Sequence, residues 1–577
     1  MDILEQLLSK GFFPIQLPPN FTSEDFGRKH KKINREIKKI IDANRKENPF
    51  NKWNKTDKHS VARSSYSRRT TRILNPISYL GLANLIHNNW NEINNHYSKS
   101  SLSLSRPIID GNSIRAITLT KFSQLYERKI IDSSGYKYAL ITDISSYFPS
   151  IYTHSISWAL HGKEQAKRHV RNKEKLLGDE IDEMCRNAQE GQTIGLPIGS
   201  DTSHIISELI GTAIDIELIA ELGEKPAGFR YVDDFILFFS SRDKAEKALA
   251  ILTSIISNYE LEINASKTKI IETKDLVEES WRYSVKKLTI SHEIKKQRDD
   301  IHNYFSSIFS LEKKYKDESL AKYSMKQLSS IIIKKDNWNI LESYLLKIAY
   351  SFPNTIEIVS RILATYKFYD YKLNKENIKR FIDSMLSEHS NSSHHNEVCW
   401  LLWLAKELKI SITEQNVSNI YNMGSSACTL ILLDMMHKKI IKKSFFPLKE
   451  RKKYASHEKL NQPSWLITYE AGKRKWLGNK DIEFLKKNKE FNILIKNNVS
   501  FYNENARIPL FFTIKDNMMK SSKQLFESDD YISDYFEFDE LDEEYFDNSE
   551  YDTFLDTSHY QKRDTNFEFS TDDLPPI

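Results

Sequence analysis

The stretch GFRYVDDFILFFS, residues 228–240, decides the fold. An alternating run ends at Tyr231, two carboxylates follow at Asp233 and Asp234, and an apolar run resumes, which is the pattern of a β-hairpin with acids at its turn. Alone, such a tetrad is compatible with a surface turn. Its surroundings say more. About ninety residues upstream, YALITDISSYFPSIYTHSISWAL (138–160) runs a buried-type strand into Asp143 and then an aromatic pair, Tyr147 and Phe148. A carboxylate at the end of a buried strand is costly unless paired, and a divalent cation is its usual partner. Between these segments, GQTIGLPIGSDTSHIISELIGTAIDIEL (191–218) reads as a Gly/Pro loop, a capping cluster and a helix. Downstream, LEINASKTKI (261–270) reads as a strand followed by Lys267.

This order suits nucleotidyl transfer. Two metal ions about 3.5–4 Å apart need carboxylate oxygens from neighbouring strands, one ion to activate a 3′-hydroxyl and one to carry a triphosphate. Asp143, Asp233 and Asp234 supply those oxygens, and a lysine near the pyrophosphate can protonate it.

Composition narrows the alternatives. At 577 residues the chain exceeds one hydrophobic core, and 40% apolar with 12% aromatic residues is enough to fold two or three domains. Three scattered cysteines, Cys185, Cys399 and Cys428, build neither a disulfide framework nor a four-cysteine zinc site. No apolar run is long enough to span a bilayer and no export signal opens the chain, so a cytoplasmic protein without membrane contact is expected. The net charge of +5 divides unevenly: residues 521–577 hold 18 acidic and 3 basic groups, leaving 81 basic and 61 acidic groups in the first 520. A basic body attracts polyanions, and the acidic, aromatic tail reads either as a solvated extension or as a tethered competitor for the basic groove.

Glycine punctuates the centre: seven of the 16 glycines lie between Gly178 and Gly228, so special backbone conformations concentrate there. Residues 28–46 read as a basic amphipathic helix with Ile33, Ile37, Ile40 and Ile41 inward. Residues 61–82 and 101–119 read as strands and loops rather than long helices, and beyond about residue 300 short amphipathic helices follow one another. In the helix beginning NEVCWLLWLAKEL, Val398, Leu401, Leu402, Ala405 and Leu408 form one apolar stripe.

With RYVDDF, ITDISSYF, GLPIGSDTS and INASKTKI in this order, the chain resembles a reverse transcriptase across roughly residues 60–285. Pro197-Ile198-Gly199 stands where most of the family has Pro-Gln-Gly, a departure shared by the bacterial abortive-infection and unknown-group enzymes that defend cells against phage. The resemblance implies an α+β fold: a right-hand polymerase fingers-palm domain, then an all-α helical-repeat domain and an acidic tail. The expected divisions are 1–59, a basic helical extension; 60–290, fingers and palm; 291–480, helical repeats in place of a thumb; and 481–577, a C-terminal region with an acidic tail from about 521.

The resemblance further implies antiphage DNA synthesis from dNTPs, RNA-directed, template-independent or primed by a protein tyrosine. It implies two Mg²⁺ ions, with Mn²⁺ as substitute, held by Asp143, Asp233 and Asp234. Phe148 takes the position that excludes a 2′-hydroxyl, with Tyr147 the competing assignment. Lys267 is the candidate general acid, Gly199, Arg115 and Arg72 are nucleotide contacts, and Arg63, Arg68 and Arg69 are template or phosphate contacts. Implied partners are RNA and DNA, a dedicated non-coding RNA, and a second reverse transcriptase subunit or another copy of the chain.

A second reading makes the chain an RNA-binding or ribonuclease-type effector with a degenerate polymerase domain, Arg451 and His457 acting on a phosphate. His394, His395 and Cys399 read better as a polar loop entering a core helix than as metal ligands. Neither a dinucleotide-binding glycine spacing nor a Gly-Lys-Ser/Thr phosphate loop occurs.

Overall fold

The computed structural model describes residues 2–43, 48–64, 67–111, 113–169, 175–276, 280–479 and 482–506. The acidic tail lies outside them. Among the described residues the chain is mostly helical, and no helix is long and apolar enough to cross a membrane.

Two sheets matter for function. A hairpin pairs β1 (Asp57–Ser64) with β2 (Ser67–Ile73), carrying Arg68 opposite Ala62 and Arg69 opposite Val61. The central sheet is antiparallel throughout, built from β3 (Tyr138–Asp143), β4 (Ala227–Tyr231), β5 (Asp234–Phe239) and β6 (Lys269–Glu272) in the order β4-β5-β3-β6. Residues such as Leu140, Phe235, Leu237 and Phe238 are fully buried, so the sheet sits deep in the core. The helix Asp201–Leu222 is buried along most of its length and the helix Arg242–Asn258 packs on β3 and β5.

Three local readings change. Lys267 precedes its strand instead of following it, because the Asn264 side chain accepts from the Ser266 N–H at 3.2 Å and turns the chain before β6 begins. ISYLGL is helical rather than extended: Asn75 caps the helix Pro76–Asn88 by accepting from the Ile77 N–H at 2.9 Å, with Pro76 in the first turn, where a missing N–H costs nothing. The helix His395–Leu408 buries Glu397 and Lys406 along with its apolar stripe and its tryptophans, so it is enclosed on all sides instead of presenting a solvated face.

The short amphipathic helices expected beyond residue 300 include Trp338–Ser351, Ile356–Phe368, Lys375–Asn391 and His395–Leu408, which pack on one another. The first residues return to the last described ones. Phe12 and Phe26 pack against Phe501, tilted and edge-on, at 5.6 and 5.4 Å between ring centroids, Trp465 joins at 6.1 Å from Phe12, and the Asn503 N–H donates to the Asn20 carbonyl at 2.7 Å.

Candidate active site

Strand pairing assembles the acids. Asp143 ends β3 directly opposite Asp234, which begins β5, and Asp233 occupies the turn between β4 and β5. The Ile144 N–H donates to the Asp233 carbonyl at 3.2 Å, tying the two chain segments together just beyond the paired acids. Side chains directly opposite in an antiparallel pair stand about 5 Å apart at Cβ, so three carboxylates share one small volume.

The electrostatics follow from that crowding. Burial first, then the neighbouring Asp143 carboxylate, push Asp233 up to about 7, and burial with both neighbours raises Asp234 well above the ordinary carboxylate range. Lys267 opposes this, its Nζ 3.2 Å from Asp143 Oδ2 on a largely covered side chain. Arg69 also acts on Asp233 and Lys129 on Asp234, yet both acids stay raised, so the nearby positive charge does not offset the crowding, and the donor set is all hard oxygen. These residues fit one or two divalent cations of the magnesium class.

Asp143 and Asp233 open onto a cleft of about 520 Å³, lined also by Lys267, Tyr147, Phe148 and the arginines Arg63, Arg68, Arg69 and Arg72, while Asp234 stands behind them opposite Asp143 and outside the lining. A cationic wall facing an anionic floor is what a triphosphate with its metal ions requires. Arg72 is fixed at the wall, its guanidinium donating to Thr56 Oγ1 at 2.9 Å and its N–H to the Ile198 carbonyl at 2.8 Å. Ile198 itself lines the cleft where Gln is usual in the resembled family.

The two aromatic assignments separate. Tyr147 turns its hydroxyl into the core to donate to the Ser207 carbonyl at 2.7 Å. Both rings line the cleft, and Phe148, with no hydroxyl to orient, presents only its ring there.

Other expected contacts go elsewhere. Arg115 is buried away from this cleft: its Nε donates to Asp201 at 2.9 Å, and its other nitrogens reach the Phe13 and Gly199 carbonyls at 2.7 and 3.3 Å. The carboxylate at the start of a buried helix needs a counter-ion, and Arg115 serves it. Gly199 also lies outside the cleft lining. Its φ of +122° and the 2.7 Å separation between an added Cβ and Pro14 Cγ explain the glycine without a nucleotide.

Arg451 donates to the Phe446 and Trp476 carbonyls at 3.0 and 3.2 Å, while His457 is exposed. His394 meets His389 at 2.8 Å between their Nδ1 atoms, and Glu397 is near enough to complete a metal-sized group. Arg68 holds both oxygens of that Glu397, however, and a cation there would meet a guanidinium. His395 accepts from the Ser60 N–H at 3.2 Å, and Cys399 lies buried 3.7 Å from Cys428 Sγ.

Residues 30–292 match the family described as reverse transcriptase (RNA-dependent DNA polymerase). The chain therefore carries a reverse transcriptase domain over that span, a little under half its length. No curated protein matches the chain.

Proposed function

We propose, from the reverse transcriptase domain at residues 30–292, that the chain polymerises deoxynucleotides by two-metal nucleotidyl transfer and does so in antiphage defence. The meeting of Asp143 and Asp233 at the floor of an arginine-walled cleft, with Asp234 paired to Asp143 across β3 and β5, carries this reading. A bound pair of divalent cations, Mg²⁺ or in its place Mn²⁺, supplies activation of the attacking 3′-hydroxyl and charge neutralisation at the triphosphate.

The chain's own groups do the rest. Asp143, Asp233 and Asp234 fix the ions, and Phe148 closes the space beneath the sugar, favouring a deoxyribose. Arg63, Arg69 and Arg72 offset phosphate charge as it develops, and Lys267, already at the acid cluster, is placed to hand a proton to the departing pyrophosphate.

The defence role rests on the resemblance to the abortive-infection and unknown-group enzymes: Ile198 at the usual Gln position and a helical second half after the domain. It implies RNA and DNA as bound partners, with a non-coding RNA template or a tyrosine primer.

The test is incubation of the purified chain with each dNTP and Mg²⁺ or Mn²⁺, with and without co-purifying RNA. Incorporation by wild type that disappears in Asp233→Ala supports polymerisation; equal incorporation by both sinks it. DNA that migrates with the protein after denaturation identifies protein priming, and phage plating on cells expressing either form tests the defence role.

A further inference from the structure

Val232, the residue before the paired acids, has φ +55°. A β-branched side chain in the left-handed region is strained, and it stays there only if its surroundings hold it. Here both of its backbone polar groups are held. Its N–H donates to Ser105 Oγ at 2.8 Å, and its carbonyl accepts from Arg230 Nη1 at 2.8 Å.

These two partners belong to one buried network. The Arg230 side chain is 0% exposed and divides its guanidinium between Asp215, through Nε and Nη2 at 2.9 Å, and Glu208, through Nη1 and Nη2 at 3.0 and 2.8 Å. Ser105 Oγ donates to Glu208 Oε2 at 2.9 Å, and Ser100 Oγ donates to Asp215 Oδ2 at 2.6 Å. Glu208 and Asp215 lie seven residues apart, two turns along the helix Asp201–Leu222, on a face where Gly211 leaves room: a Cβ there would stand 2.6 Å from Arg230 Nη1. The segment bearing Ser105 is pinned to β4 by reciprocal bonds, Leu104 N–H to the Arg230 carbonyl at 2.8 Å and Arg230 N–H to the Leu102 carbonyl at 2.9 Å.

We infer that Ser105, Arg230 and Glu208 are positioning residues: they hold Val232 in its strained conformation and thereby aim Asp233 and Asp234 at the position facing Asp143. This rests on the polymerase reading of the site. None of the three reaches the cleft, so they act through the turn, by fixing two carboxylates to the tolerance that metal binding needs.

Ser105→Ala is the sharpest variant, because it removes the acceptor of the Val232 N–H and leaves the Arg230 ion pairs in place. It should weaken Mn²⁺ binding, read by electron paramagnetic resonance, about tenfold, and lower kcat by roughly ten- to a hundredfold with a smaller change in KM for dNTP. Circular dichroism and Tm establish that the variant is folded. If alanine costs the fold, Ser105→Cys, whose thiol is a weak acceptor, is the substitute with the same expected direction.

The second arm is Val232→Gly in the Ser105→Ala background. Glycine takes positive φ without strain, so the turn no longer needs holding, and most of the Mn²⁺ binding and kcat should return. A role in stability alone predicts the opposite, since glycine adds flexibility. Wild type that binds Mn²⁺ and incorporates nucleotides, with Ser105→Ala indistinguishable from it or unrescued by Val232→Gly, overturns the positioning role alone. Wild type that neither binds Mn²⁺ nor incorporates nucleotides sinks the polymerase reading, and the positioning role with it.

Discussion

Glu397, in a helix more than three hundred residues downstream, grips Arg68 of β2 with both carboxylate oxygens, at 2.7 and 2.8 Å. The carboxylate side chain is 1% exposed and the arginine 20%, so the hairpin that walls the cleft is fastened to the helical second half by a largely desolvated fork.

Glu397→Gln should therefore loosen the hairpin. Removing one partner of a buried pair costs about 3–5 kcal/mol, and because Arg68 can turn to solvent, roughly 1–3 kcal/mol is expected here. A double-mutant cycle with Arg68→Ala by urea unfolding should give a coupling energy of at least about 1 kcal/mol. Additive losses would show that the fork contributes nothing.

Asp234→Asn should separate stability from activity. The three acids repel one another in a covered site, so neutralising one relieves strain that Lys267 only partly offsets. In EDTA the variant's Tm should rise by roughly 2 °C or more, at 2–4 °C per kcal/mol for a domain of this size. Nucleotide incorporation should fall by on the order of a thousandfold. A lower Tm would contradict the crowding argument.

Phe148→Ala should admit ribonucleotides, seen as a drop of about tenfold or more in the ratio of kcat/KM for dNTP over rNTP. Tyr147→Phe should leave that ratio unchanged and cost about 1 kcal/mol of stability, the net value of its hydroxyl bond to Ser207. Reversed outcomes would transfer the gate to Tyr147.

Asp57 should make stability depend on pH. Burial raises its pKa from 3.8 to about 7, the Ser426 hydroxyl and N–H pulling back only in part. Cys399 and Tyr454 are titratable groups that sense its charge. The folded chain holds this proton more tightly than the unfolded chain, so the contribution is complete below about pH 4, is lost as pH rises to about 7, and is flat above. The loss amounts to at most roughly 1.4 kcal/mol per pH unit. Asp57→Asn should flatten the slope relative to wild type in urea unfolding at pH 5, 6, 7 and 8; parallel slopes would exclude Asp57 as its source.

What the sequence disclosed was local. Strand patterns ending at Asp143 and flanking Asp233 and Asp234 brought the acids to the ends of adjacent strands, because hydrophobic alternation and an acidic turn are written in consecutive residues. Pairings across the chain left no such trace. Arg115 reads as a nucleotide contact, but its partner Asp201 lies 86 residues away, and nothing near Arg68 in the chain points to Glu397, 329 residues on. One long-range pairing does leave a local mark. Glu208 and Asp215 lie seven apart, two turns along a helix whose neighbouring positions are mostly Ile, Leu, Ala and Gly, so they share a buried face and need a cation. Arg230, inside the most closely read motif, supplies it.

The meeting of Phe12 and Phe26 with Trp465 and Phe501 also sets a schedule for synthesis. At about 5–20 residues per second, the opening segment waits on the order of half a minute or more at the ribosome before Trp465 and Phe501 emerge. Phe12 can meet Tyr79 and Phe26 early, but the last faces of this aromatic cluster close only when the end of the described chain arrives, so the packing of the opening segment is among the last to be completed.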